Sequence, residues 1–392
     1  MTTDEIIQLE HQLEIPTYSK FPMALERGDG PYVWDTDGRR YLDFYGGHCV
    51  ALLGHSPDRV VKAIQTQAEK LLFYSNVAHS PIRAEAAALL MEMAPAGLAQ
   101  VFFANSGSEA NETALKLART YTGRSAVVAL EGAFHGRTLG ALATTQNEKY
   151  RAPYTDILPE TRFVPWGDHE ALKDALAPGD VAAVILEPIQ SIAGMRALPP
   201  VCVPGLRELC DAHGTLLIFD EVQTGVGRTG TFSISEQLGA TPDLISLAKS
   251  LGAGVPVSAV LVSDAVAETV KPGDQGSTFG GGMLAMAAVK ATLETMRDEN
   301  LMARATAIHA QVADALDGVV QEVRGRGCLM GLVLDQPVAP VIKQLREHGV
   351  LVGGSADPHV IRCMPPINTP DAAVQQFTET LTQILDRAVV ST

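Results

Sequence analysis

From about residue 50 to residue 275 the chain alternates short, wholly apolar runs with longer amphipathic stretches, and this alternation restricts its fold more than any other feature. The apolar runs are Val101–Phe103, Ala126–Leu130, Val181–Leu186, Leu216–Phe219, Leu244–Leu247 and Ala259–Val262. Helical periodicity marks Pro57–Lys70, Ile82–Met93, Glu109–Thr120 and Val203–His213. Strands that alternate with helices predict an α/β architecture, a mostly parallel sheet covered by helices. The turn-rich stretch Lys271–Gly276 closes this region.

Two of the apolar runs end in chemistry. Leu216–Phe219 runs into Asp220-Glu221, and Leu244–Leu247 runs through Ala248 into Lys249. An amine at the mouth of a buried strand is costly to desolvate and needs a reason to be there. An acid and an amine at the ends of two buried strands suit a cofactor held between them. Pyridoxal phosphate fits best, because it needs one lysine for a Schiff base and one carboxylate for its ring nitrogen.

The formal charge of −15 argues against nucleic acid or an anionic membrane as the main partner. It also means that local arginines must attract any carboxylate-bearing substrate. The five cysteines form no CxxC pair and are expected to be reduced. The first sixteen residues are acidic and polar, unlike a secretory signal, and no apolar run approaches transmembrane length. A soluble, cytoplasmic protein is expected, with no metal site.

Further motifs surround these strands. In Asn105-Ser106-Gly107-Ser108-Glu109, the Ser106–Glu109 spacing is that of a capping box, and the helix start there suits a phosphate, with Gly107 allowing close backbone approach. Phe134-His135-Gly136-Arg137 offers an aromatic ring for stacking on a flat cofactor and an arginine for a carboxylate. Gly225–Gly230 matches GxGxxG, but it starts several polar residues past its strand and opens no amphipathic helix, so it is no dinucleotide fingerprint. Ser277 and Thr278, followed by glycines, suit a phosphate contact.

In this order, the motifs resemble those of the class III pyridoxal-phosphate aminotransferases of fold type I, and within them the acetylornithine/succinylornithine group. The resemblance rests on Ser106-Gly107-Ser108, Phe134-His135-Gly136-Arg137, Glu187-Pro188-Ile189-Gln190, Asp220-Glu221-Val222-Gln223, Lys249 and Gly276-Ser277-Thr278. It implies a large domain with a mostly parallel seven-stranded sheet at residues 51–275, a smaller α+β domain at 276–392, and an N-terminal segment, 1–50, packed on the latter. Lys249 would carry the cofactor and shuttle a proton, and Asp220 would pair with the ring nitrogen. Phe134 and Val222 would sandwich the ring, with His135 and Gln223 beside it. Ser106, Gly107 and Ser108 would bind the phosphate, helped by Ser277 and by Thr278 from a neighbouring subunit. Tyr18 and Arg137 would take the far carboxylate of the substrate, and Arg362 the carboxylate beside the reacting carbon. Glu187 and His48 complete the expected substrate contacts.

One departure bears on substrate. Many relatives with ω-amino donors carry a glutamate in the loop after Glu-Pro-Ile-Gln, where this chain has Ile192. Another, Gly281-Gly282-Met283 where relatives usually have Gly-Asn-Pro, alters a loop near the phosphate. The expected activity is ping-pong transfer of an amino group between a carboxylate-bearing amine, N-acetylornithine or a similar ω-amino acid, and 2-oxoglutarate/glutamate. The partners would be this amino donor, a 2-oxo acid acceptor and a second copy of the chain, with active sites at the subunit interface. Decarboxylating transamination, aminomutase chemistry and an α-amino-acid-specific transaminase are the alternatives within the class; a non-enzymatic binding protein is the alternative outside it.

Overall fold

The computed structural model describes residues 1–390, with side chains described through residue 387. A solvent-facing helix, Thr3–Leu13, opens the chain; Thr2 and Glu5 close a capping box, and none of its side chains is buried. Strands β1 (Leu25–Asp29), β2 (Tyr32–Asp35) and β3 (Arg40–Asp43) follow as an antiparallel meander. A turn at Asp37-Gly38 joins the last two, with Gly38 at φ 81°.

Next come β4 (Leu98–Ala104), β5 (Ala126–Leu130), β6 (Thr161–Val164) and β7 (Val181–Leu186). A short ribbon, β8 (Ile189–Gln190) with β9 (Arg196–Ala197), precedes β10 (Leu216–Asp220), β11 (Leu244–Leu247) and β12 (Ser258–Ser263). Seven of these strands form one sheet in the order β4-β12-β11-β10-β7-β5-β6, in which only β12 runs against the rest. Every residue of β5, β7, β10 and β11 is buried, as strands covered by helices on both faces must be. The expected mostly parallel α/β sheet is thus present.

After it come β13 (Glu322–Arg326), β14 (Leu329–Val333), β15 (Val350–Leu351) and β16 (Val360–Cys363). The strands β13, β14 and β16 form an antiparallel sheet, whereas β15 joins the N-terminal meander by pairing in parallel with β3. The first fifty residues and the C-terminal region therefore share a sheet. Helix Met283–Asp298, although it follows residue 275, packs mainly against helices Asp58–Lys70 and Pro81–Met93, next to the large sheet.

The last helix, Asp371–Val390, opens with the Ala373 and Val374 N–H groups bonded to Pro370 O, while the Thr369 hydroxyl donates to Pro366 O (2.6 Å). One local expectation needs correction. Glu109 completes only half of the capping box. Its N–H donates to Ser106 Oγ (3.2 Å), but its carboxylate accepts from the N–H and side chain of Asn105, one residue before the cap.

Candidate active site

Register brings the site together. β7, β10 and β11 are parallel neighbours, with Leu186 opposite Phe219 and Asp220 opposite Ser246. Glu187, Asp220 and Lys249 therefore emerge at the same, carboxyl edge of the sheet, where ligands of open α/β sheets bind. Ser106–Ser108 follow β4 and Phe134–Gly136 follow β5 at that same edge, and Val255–Val257 lead into the reversed β12. Together they line a cavity of about 390 Å³.

Ten of the expected residues meet there: Ser106, Gly107, Ser108, Phe134, His135, Glu187, Asp220, Val222, Gln223 and Lys249. The helix Gly107–Thr122 points its N-terminus, with its unpaired N–H groups, at the cavity. At Gly107 a Cβ would come within 3.0 Å of the Val222 methyl, so the glycine lets helix start and cavity wall approach closely.

Asp220, 5 % exposed, is held from several sides. Its Oδ2 accepts from Asn111 Nδ2 (2.7 Å) and pairs with His135 Nδ1 (2.8 Å), while Oδ1 accepts from the Val222 N–H (3.1 Å). Asn111, not anticipated from the sequence, lies one helical turn beyond Gly107; that spacing after a phosphate-type helix start is the signal that would have found it. Lys249 is half-buried and lines the cavity. It occupies the left-handed region at φ 43°, which a lysine adopts only under constraint. Burial pushes its amine below the usual lysine range, outweighing the attraction of Asp220 and Glu187, and so favours the neutral nucleophile. Glu187 accepts from the Phe134 N–H (2.8 Å); burial, then the neighbouring Asp220, raise its carboxyl well above the ordinary value.

The other expected residues do not line this cavity. Arg362, 6 % exposed on β16, donates to Gly354 O (2.5 Å) and Ser191 Oγ (3.2 Å). No carboxylate among the described residues lies within 4.0 Å of its guanidinium. Ile192, beside Ser191, contributes only its carbonyl, to the Ala356 N–H (2.7 Å). Arg137 is exposed and stacked on Tyr150, 3.4 Å from the ring centroid. His48 is exposed and bonds the Tyr45 hydroxyl through Nδ1. Ser277 Oγ accepts from Asn105 Nδ2 (3.2 Å), whereas Thr278 is exposed. Tyr18 is 80 % exposed and lines no part of the cavity within one chain.

The family model described as aminotransferase class-III matches residues 15–385. The chain belongs to the class-III aminotransferases. It is 45 % identical over 371 residues to the acetylornithine aminotransferase of Methanopyrus kandleri, covering 94 % of each chain. The Corynebacterium efficiens acetylornithine aminotransferase is 40 % identical, with 98 % of both chains covered. Among solved structures, the Toxoplasma gondii ornithine aminotransferase superposes with a TM-score of 0.94 at 31 % identity, covering 100 % of this chain and 97 % of its own. Acetylornithine aminotransferase from Elizabethkingia anophelis gives 0.85 at 28 %, covering 99 % and 100 %.

As a class-III aminotransferase the protein is a pyridoxal-phosphate-dependent transaminase, with an amino donor and a 2-oxo acid acceptor as substrates. The site's chemistry fits that cofactor independently. Among the described residues, the buried atoms Gln223 Oε1, His135 Nε2 and Asn111 Oδ1 have no partner of their own at this cavity, which also offers an amine, a carboxylate and a helix N-terminus. No helix among the described residues is long and apolar enough to cross a membrane.

Beside the site, Glu221 gives a pH-dependent stability. It accepts from Ser233 Oγ, from the Ile234 N–H (2.9 Å) and from Thr224 Oγ1 (3.3 Å), yet burial pushes its carboxyl from 4.5 up to about 7. Between these values the unfolded chain releases a proton that the folded chain keeps, so this group's contribution, complete below pH 4.5, is lost as pH rises through 7. A shift of that size corresponds to about 3 kcal/mol. Urea unfolding at pH 5 and pH 8 should show wild type losing about that much more stability than Glu221→Gln. Parallel profiles for the two proteins would contradict the assignment.

Proposed function

We propose that the chain moves an amino group between an N-acetylornithine-like ω-amino acid and the 2-oxoglutarate/glutamate pair, in two half-reactions that share one cavity. The names of the relatives support this donor. The observation that carries the reading is the emergence of Asp220 and Lys249 from adjacent parallel strands into one cavity.

When bound, pyridoxal phosphate supplies an aldehyde that captures amines and a ring that withdraws electrons. In this reading Lys249 Nζ would anchor it and would move the proton at the reacting carbon. Asp220 keeps a proton on the ring nitrogen, braced by Asn111 and His135. The helix start at Ser106–Ser108 and Ser277 hold the phosphate. Phe134 and Val222 would hold the ring, with Gln223 beside it. Glu187 and His48 border the substrate. Arg362 receives the carboxylate at the reacting carbon, and Arg137 with Tyr18 the distant one. We further propose a homodimer in which Thr278 of one copy reaches the phosphate site of the other. The exposed Leu72, Tyr74, Val77 and Phe279, on neighbouring segments joined by Asn76, support such an interface.

Arg137→Ala tests the distant carboxylate contact. It should lower kcat/KM for 2-oxoglutarate about 10- to 100-fold more than for a monocarboxylate such as pyruvate, through loss of a charge-assisted bond. Equal losses for both acceptors would refute the assignment.

A second reading, with α-amino acids as donors, is favoured by one observation. Arg362 is buried without an ion-pair partner among the described residues, so an apolar ω-carbon beside it would leave its charge uncompensated. Single half-reactions over a donor panel separate the two readings. Cofactor conversion by N-acetylornithine supports the first; conversion only by amines bearing an adjacent carboxylate supports the second.

A further inference from the structure

The glycine-rich stretch Gly225–Gly230, which is no dinucleotide fingerprint, has another use in the fold. A Cβ at Gly225 would lie 2.5 Å from Leu247 Cδ2, at the end of β11. One at Gly227 would lie 2.2 Å from Met296 Cε, on helix Met283–Asp298. These two glycines let the loop after β10 pack closely on the strand that leads to Lys249 and on a covering helix.

The same loop carries Arg228, which is 0 % exposed. Its Nη1 donates to Cys328 O (3.4 Å), Met364 O (3.2 Å) and Pro365 O (2.6 Å), and its Nη2 to Ser250 Oγ (3.5 Å). Its own carbonyl accepts from the Cys328 N–H (2.9 Å). No carboxylate among the described residues lies within 4.0 Å of the guanidinium. A buried charge held by neutral groups alone seldom stabilises a fold better than apolar packing would. What a guanidinium offers instead is shape, a planar fork whose donors fix several acceptors at once.

The segments it joins say what is being fixed. Met364 and Pro365 follow β16, the strand that carries Arg362, and Cys328 leads into its neighbour β14. Ser250 follows Lys249 in the short turn Lys249–Gly252, and its hydroxyl donates to Cys49 O (3.4 Å). Burial first, and the Arg362 charge with it, lower the proton affinity of the Lys249 amine, so the two groups lie within electrostatic reach of each other. Arg228 itself lines no part of the cavity.

We propose that Arg228 is a positioning residue: by tying the end of β16 to the loop after β10 and to Ser250, it fixes the span between the carboxylate-binding Arg362 and Lys249. The proposal rests on the reading of Arg362 given above.

Glutarate, a dicarboxylate that cannot accept an amino group, probes the site without turnover. In calorimetric titrations of the holoenzyme, Arg228→Lys should weaken glutarate binding about tenfold, because one ammonium cannot hold all four acceptors in place. The same variant should raise KM for 2-oxoglutarate by a similar factor, with kcat lowered no more than about threefold. Arg362→Ala alone should weaken glutarate about 10- to 100-fold, through loss of a charged pair. In that background Arg228→Lys should add less than about a factor of two, since it acts through Arg362. If Arg228→Lys does not fold, Arg228→Gln, with no charge to bury, replaces it with the same expected outcome. Unchanged glutarate affinity in the single variant would overturn the proposal, and so would equal weakening in both backgrounds, the mark of a general staple. If Arg362→Ala binds glutarate as wild type does, the carboxylate site itself is misassigned, and the role given to Arg228 falls with it.

Discussion

Lys249→Ala is expected to lower kcat by about four orders of magnitude, because one side chain supplies both the covalent anchor and the proton shuttle at the reacting carbon. The environment of Lys249 makes this more than an inference from motif. The residue is held at φ 43° at the end of a fully buried strand, and burial lowers the proton affinity of its amine. A lysine placed for stability would have been given a carboxylate to pair with, yet no ion pair to Lys249 exists among the described residues. The variant should fold and bind pyridoxal phosphate more weakly, without the visible absorbance band of the lysine-linked cofactor. Added methylamine should restore some turnover by replacing the missing base. Undiminished activity would remove Lys249 from the chemistry.

Asp220→Asn comes second, with an expected loss of about 10²- to 10³-fold in kcat, the usual cost of deleting one preorganised charge at a reacting centre. Asparagine keeps an acceptor for Asn111 Nδ2 or His135 Nδ1, so the variant should remain folded. What disappears is the negative charge that keeps the ring nitrogen protonated. A cofactor analogue methylated at that nitrogen carries a permanent positive charge and should recover much of the loss. Failure of this analogue, together with normal binding of the unmodified cofactor, would mean that Asp220 serves structure alone.

Much of this was legible in the sequence, and the reasons are physical. The strands β5, β7, β10 and β11 declared themselves because burial on both faces demands unbroken apolar runs. For the same reason Asp220 and Lys249 stood out as polar groups at the ends of such runs. β6 escaped notice: it is an edge strand, half exposed, whose Arg162 turns outward to Asp180 and Glu160. β13, an edge strand with the sequence Glu-Val-Arg-Gly-Arg, escaped for the same reason.

Within the site, Asn111 and Ser191 were missed because their partners, Asp220 and Arg362, lie 109 and 171 residues away along the chain. Spacing over such distances carries no local signal. A left-handed turn at Gly46–Cys49 was equally hidden: paired glycines suggest a bend, but nothing in His48-Cys49 announces positive φ. Tyr18, His48, Arg137, Ser277, Thr278 and Arg362, named from the resemblance, do not line the cavity of the single chain.

The most direct test of the account is reduction of the holoenzyme with borohydride, followed by proteolysis and mass mapping of the modified peptide. One cofactor adduct per chain, on the peptide that contains Lys249, is the predicted result. An adduct on any other lysine, or none in an enzyme that still turns over, would contradict it.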